Sequence, residues 1–237
     1  MSEKRSLVVK DIRAGYGKKQ VVFGVSLSLE PGHIVAMLGH NGAGKTTTLK
    51  TIAGLLPVQS GVIELDGVDI TKRSCSDRVR QGIVYLPQER SVFGQLSVHD
   101  NLLLGGTPNP DRAARQKRLD YVLELFPILG KRKGQMAGTL SGGEQRMVSF
   151  GIALMASARV LLLDEYSLGL APSLCQALAG TIKLLVERDG MSVLLVEQNV
   201  PLALGLAERV SVMRMGRIVV EETTQQLGER QNLWELF

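Results

Sequence analysis

Apolar residues in this chain come mostly in short runs, at 7–9, 25–29, 34–38, 62–65, 160–163, 192–196, 210–213 and 217–220. Between several of them lie stretches with apolar residues at helical spacing, at 45–53, 111–125, 143–156, 173–187 and 201–207. Strands that are apolar at successive positions are buried on both faces. Their alternation with helices predicts a mostly parallel sheet covered on two sides. The first thirty residues follow another rule. There Val25, Leu27 and Leu29 alternate with Ser26, Ser28 and Glu30, the period of a half-buried strand, which predicts a small antiparallel layer. From about 97 to 145 no run reads as strand and helical spacing dominates, so a helical insertion is expected. No internal repeat or linker divides the chain. The expected architecture is one α/β domain over 1–237 in three lobes: a core with its β subdomain from 7–88 and 156–237, and a helical subdomain at about 89–155.

Charge and composition narrow the function classes. The 28 Lys and Arg against 23 Asp and Glu leave a formal charge of +5, which invites a nucleic-acid partner. The basic stretches at 112–118 and 131–133 are short, however, and with only 4% aromatic residues there are few platforms for stacked bases. A solvated basic face and no nucleic acid is the expectation. No apolar run approaches the roughly 20 residues of a membrane span. Met1-Ser2-Glu3-Lys4-Arg5 leads into too few apolar positions for a signal peptide, so neither an integral membrane protein nor a secreted one is expected. Cys75 and Cys175 have no CxxC or histidine neighbour, and read as reduced thiols.

The chemistry begins where the run at 34–38 enters Gly39-His40-Asn41-Gly42-Ala43-Gly44-Lys45-Thr46, which fits GxxxxGK[ST]. A loop that wraps its amides around a polyphosphate needs glycine torsions and close backbone approach. The helix that follows would point its positive end at the phosphates. Lys45 can then bridge β- and γ-phosphates, Thr46 can offer its hydroxyl to Mg²⁺, and Thr47 can bond the α-phosphate side. His40 reads as a solvent-facing filler. This spacing predicts nucleotide binding, and its resemblance to the P-loop implies a P-loop NTPase (RecA-like) core. A metal-side carboxylate is supplied at Leu163-Asp164-Glu165, where an apolar strand would deliver Asp164 to the carboxyl edge of the sheet. Glu165 projects differently and is the candidate general base for an attacking water.

Leu140-Ser141-Gly142-Gly143-Glu144-Gln145 stands about 20 residues before Asp164. In this order and spacing the three elements resemble the ATP-binding cassette (ABC) ATPases, over about residues 7–225. The resemblance implies ATP and Mg²⁺ as ligands. It also implies that Ser141, Gly142 and Gly143 face the γ-phosphate bound by another cassette, so that two cassettes sandwich ATP. It further implies adenine stacking on Tyr16, and a role for Gln88, in Leu86-Pro87-Gln88, at the metal and the attacking water. Gln88 would also connect to the membrane partner, and Ser167-Leu168-Gly169-Leu170-Ala171-Pro172 would contact the opposing subunit.

The stretch at 88–98, Asn101-Leu102, Ser167 to Pro172, and Leu195-Val196-Glu197-Gln198-Asn199 resemble the branched-chain amino acid importer branch. Transmembrane permease subunits, a second related ATPase or a second copy of this chain, and indirectly a solute-binding protein are then the implied partners. The implied location is the cytoplasmic face of the plasma membrane. Urea and short-amide importers share these features, and a soluble non-transport ABC ATPase is the remaining alternative. Two positions depart from the family. Thirty-three residues after Glu165, where ABC ATPases generally carry histidine, stands Gln198, a neutral donor without an imidazolium. Tyr166 follows Glu165 where proline is usual.

Overall fold

The computed structural model describes residues 7–89 and 91–229; the leader reading of Met1–Arg5 and the Arg90 step of the 88–98 stretch lie outside the described residues. In chain order the elements are β1 (Leu7–Tyr16), β2 (Lys19–Leu29), β3 (Ile34–Leu38), α1 (Lys45–Ile52), β4 (Ser60–Leu65), β5 (Val68–Asp69), α2 (Cys75–Arg80) and β6 (Ile83–Leu86). Then come α3 (Val98–Gly105), α4 (Arg112–Leu125), α5 (Pro127–Lys131), α6 (Gly142–Met155), β7 (Val160–Asp164) and α7 (Pro172–Asp189). The last are β8 (Ser192–Glu197), α8 (Val200–Leu206), β9 (Arg209–Arg214), β10 (Arg217–Thr223) and α9 (Thr224–Gly228).

Six strands form one sheet in the order β10-β9-β3-β8-β7-β6. All neighbours in it are parallel except the edge strand β10, which pairs antiparallel with β9. The mostly parallel sheet expected from the hydrophobic pattern is present. Its continuous apolar runs divide residue by residue between two cores, because successive side chains on a strand point to opposite faces. In β7, Leu161 and Leu163 enter a core with α6 and α7, while Val160 and Leu162 enter a second core with α1. β8 splits the same way, Val193 and Leu195 against Leu194 and Val196.

The expected antiparallel layer is a four-stranded sheet, β2-β1-β4-β5. Its strands run further than the apolar runs suggested. Register shifts interrupt the β1–β2 pairing between Val9 and Ile12, and Asp11 there is left-handed at φ 45°. A bulge of this kind breaks the period of two that the eye follows in the sequence. Between β6 and β7 the chain is helical, with α3, α4 and α5 packed around α6. Gly105 permits the closest of these contacts: a Cβ there would lie 2.3 Å from the Ile152 carbonyl oxygen. Asn101, wholly buried, fixes the loop that leads into α3: its amide donates to the Phe93, Leu96 and Ser97 carbonyls and accepts from the Phe93 amide.

Candidate active site

Strand order builds the site. Because β8 lies between β3 and β7, with β6 beyond, the loops leaving their carboxyl ends stand in one row. That row carries the glycine-rich loop after β3, Gln198 after β8, Asp164 and Glu165 at the end of β7, and Gln88 after β6. Open α/β sheets bind ligands at this edge.

The loop itself depends on glycine at two positions in particular. A Cβ on Gly39 would lie 2.3 Å from the Met213 carbonyl oxygen, and Gly44 caps α1 in the left-handed region at φ 107°. Lys45, the first residue of α1, is buried and turns back on the loop. Its ammonium donates to the Gly39 carbonyl at 2.7 Å and the His40 carbonyl at 3.1 Å, and lies 3.7 Å from Glu165 Oε1. Burial pulls Lys45 below the usual lysine range and outweighs the opposing pull of Glu165 and Asp164. Thr47 is buried beside it, whereas His40, Asn41 and Gly42 are exposed and Ala43 is buried.

Two short hydrogen-bonded chains connect this loop to the neighbouring strand ends. In the first, the Thr46 hydroxyl donates to Asp164 Oδ1 at 3.1 Å and the Tyr85 hydroxyl donates to Asp164 Oδ2 at 2.8 Å. Asp164 is 1% exposed, and burial raises its carboxyl above the usual range against the two hydroxyl donors. In the second, the Gln198 amide donates to both Asn41 Oδ1 and Glu165 Oε1, each at 2.6 Å. Glu165 sits in the left-handed region at φ 43°, a conformation costly for a residue with a side chain, and its amide donates to the Val196 carbonyl of β8. That bend aims its carboxylate back toward Gln198 and Lys45.

Thr46 and Asp164 offer two oxygens, and no group of three or more metal-ligating side chains occurs among the described residues. This suits Mg²⁺, which takes most of its oxygens from phosphate and water and few from protein. The remaining candidates lie further out. Tyr16 ends β1 with its side chain exposed, as a stacking surface requires, and Gln88 is exposed. Ser141 caps α6 in a closed box: its hydroxyl and amide both bond the Glu144 carboxylate, at 2.7 and 2.9 Å, and Glu144 is held below the usual range by those bonds. Ser141 to Gly143 join neither chain described above.

Two contributors have no conspicuous signal in the sequence. Tyr85 lies in a strand only four residues long, cut short before Pro87, that the hydrophobic pattern alone did not mark. Arg146, buried on the second turn of α6, donates to the carbonyls of Pro87 and Gln88, at 2.7 and 3.2 Å, and lies 3.5 Å from the Asp164 carbonyl. It thereby ties α6 to the ends of β6 and β7. An arginine one turn into a helix gives no hint of such reach.

The family model described as ABC transporter matches residues 22–167, a span that includes the glycine-rich loop, Ser141 to Gly143, and Asp164 with Glu165. The chain belongs to the ABC transporter family. As an ABC cassette it is an ATPase, with the nucleotide-binding fold of that family. One relative is the high-affinity branched-chain amino acid transport ATP-binding protein BraG of Pseudomonas aeruginosa, 45% identical over 88% of each chain. Another is the probable branched-chain amino acid transport ATP-binding protein LivF of Archaeoglobus fulgidus, 36% identical over 95% of each. Among solved structures, the ADP conformation of an ATP-binding cassette of an ABC transporter superimposes with a TM-score of 0.87, at 25% identity over 98% of each chain.

Proposed function

We propose that this cassette powers an importer of branched-chain amino acids by closing on ATP against a second cassette. The observation that carries the mechanism is the meeting of Lys45, Glu165 and Gln198 at one sheet edge while Ser141 to Gly143 stand apart from it. Lys45 would exchange the Gly39 and His40 carbonyls for β- and γ-phosphate oxygens. Tyr16 would stack on adenine, and the amides of the 39–47 loop would hold the phosphates. Glu165 would polarise the attacking water, and Gln198, already bonded to it, would hold its carboxylate in place and offer a neutral donor near the transferred phosphate. Thr46 and Asp164 would hold Mg²⁺, with Gln88 on its exposed side, and the ion would supply neutralisation of phosphate charge.

A composite site needs a second Ser141 start, from a related cassette or a second copy of this chain. Nucleotide then favours the closed pair because only that state contacts ATP from both sides. Among the described residues no helix is long and apolar enough to cross a membrane. On the likeness to transport ATP-binding proteins, the proposed place is the cytoplasmic face of the plasma membrane, bound to permease subunits that receive a solute-binding protein's cargo. The likeness to BraG and LivF supports the solute class. Reconstitution with the neighbouring permease and binding protein tests it. ATP-dependent uptake of leucine, isoleucine or valine is expected, and uptake confined to urea or short amides would overturn the solute assignment.

A further inference from the structure

We infer that Tyr85 is a positioning residue for the metal-side carboxylate, its hydroxyl holding Asp164 in line with Thr46. Strand register brings the two side chains together. Tyr85 on β6 stands directly opposite Leu162 on β7, and Asp164 is two residues further along. With a period of two, Leu162 and Asp164 share a face, and Tyr85 packs against the same core, the one that holds α1. Two residues of strand advance about 6.6 Å, close to the length of a phenol side chain. A tyrosine opposite residue 162 therefore reaches the carboxylate of residue 164, and its hydroxyl lies 2.8 Å from Oδ2.

The choice of donor matters. Asp164 is 1% exposed, so its orientation depends on protein groups. One oxygen accepts from Thr46, at the head of α1, and the other from Tyr85, on a neighbouring strand. Both donors are neutral. A lysine or arginine in place of Tyr85 would fix the carboxylate equally well but would compete with a cation for its charge. Phenylalanine would fill the same space with no donor. A tyrosine packed along its ring and hydrogen-bonded at its tip orients the carboxylate and leaves its negative charge available.

This inference rests on the proposed metal role of Asp164, and the experiment separates the two. In the full chain with a non-hydrolysable ATP analogue, Mn²⁺ affinity is measured by electron paramagnetic resonance, and analogue affinity is measured in EDTA. Tyr85→Phe is expected to weaken Mn²⁺ binding about three- to ten-fold, the range of one neutral hydrogen bond. Analogue affinity in EDTA and the melting temperature should stay unchanged. Asp164→Asn should weaken Mn²⁺ binding further. If Asp164→Asn leaves Mn²⁺ binding intact, the metal assignment itself fails. If only Tyr85→Phe leaves it intact, or if that variant loses affinity equally with and without metal, the role of Tyr85 is overturned while that of Asp164 stands.

Discussion

The sheet edge around Lys45 and the start of α6 at Ser141 make opposite use of the same element, the N-terminus of a helix. At the sheet edge, hydrogen bonds between residues more than a hundred positions apart (Thr46 with Asp164, Asn41 with Gln198) fix polar side chains, the buried Asp164 among them, within the fold itself. At Ser141 every side-chain bond is local, to Glu144 three residues on, and the serine is exposed. A helix start satisfied by its own capping box is stable alone, yet it presents its amides to whatever approaches. The difference teaches that the cluster around Lys45 is built within the fold, while the Ser141 start is presented outward, as the proposed composite site requires.

The strongest way to break this contrast is at the built half. Lys45→Ala should lower ATP affinity by about 30-fold or more, the cost of removing one partner from a charged contact. Glu165→Gln should keep ATP affinity and lower turnover by at least about a hundred-fold, the contribution of a general base. It should also accumulate the closed dimer in gel filtration with ATP. Equal losses of binding in both variants would contradict the division of roles.

At the presented half, Ser141→Ala removes the cap at a cost of about 1 kcal/mol to helix stability. ATP affinity of the isolated chain should be unchanged, whereas dimer formation with ATP should weaken about ten-fold by analytical ultracentrifugation. A fall in single-chain affinity would show that Ser141 already belongs to the built half.

Smaller effects test what is buried near the sheet edge. Burial raises the Glu197 carboxyl above its usual range despite amide donors from Ser167 and Gln198. The folded state therefore binds that proton more tightly than the unfolded state. Stability from this group is fully present below the unfolded carboxyl value and is lost as pH rises through the raised folded one. Glu197→Gln should raise stability at neutral pH by on the order of 1 kcal/mol, and the gain should vanish near pH 4. Thermal melts across pH measure this; a gain that persists in acid would exclude the charge as its cause. Tyr166 is wholly buried, edge-on to Phe150 with ring centroids 6.2 Å apart, and its hydroxyl has no hydrogen-bond partner among the described residues. Tyr166→Phe should stabilise the chain by about 1 kcal/mol in denaturant melts. Destabilisation would mean that the hydroxyl has a partner after all.

Much of this was legible before any coordinate. The glycine-rich loop, the strand ending in Asp164 and Glu165, and the Ser141 start are contiguous in the chain, so local spacing exposes them. The strand holding Tyr85 leaves no such mark, because four residues ending before a proline are too few to show a period. Arg146 leaves no mark in the sequence because its three carbonyl contacts come from elements that local sequence does not connect.

By itself, then, the sequence determined which residues are the candidates for phosphate, metal and proton chemistry, and that apolar strands alternate with helices. Only the tertiary structure decided that β8 runs between β3 and β7, and so that Gln198 joins Asn41 to Glu165 while Tyr85 joins Asp164 from the other side. Strand pairing is a choice among distant partners. It is made by the burial of whole faces and not by any local spacing, which is why strand order cannot be read along the chain.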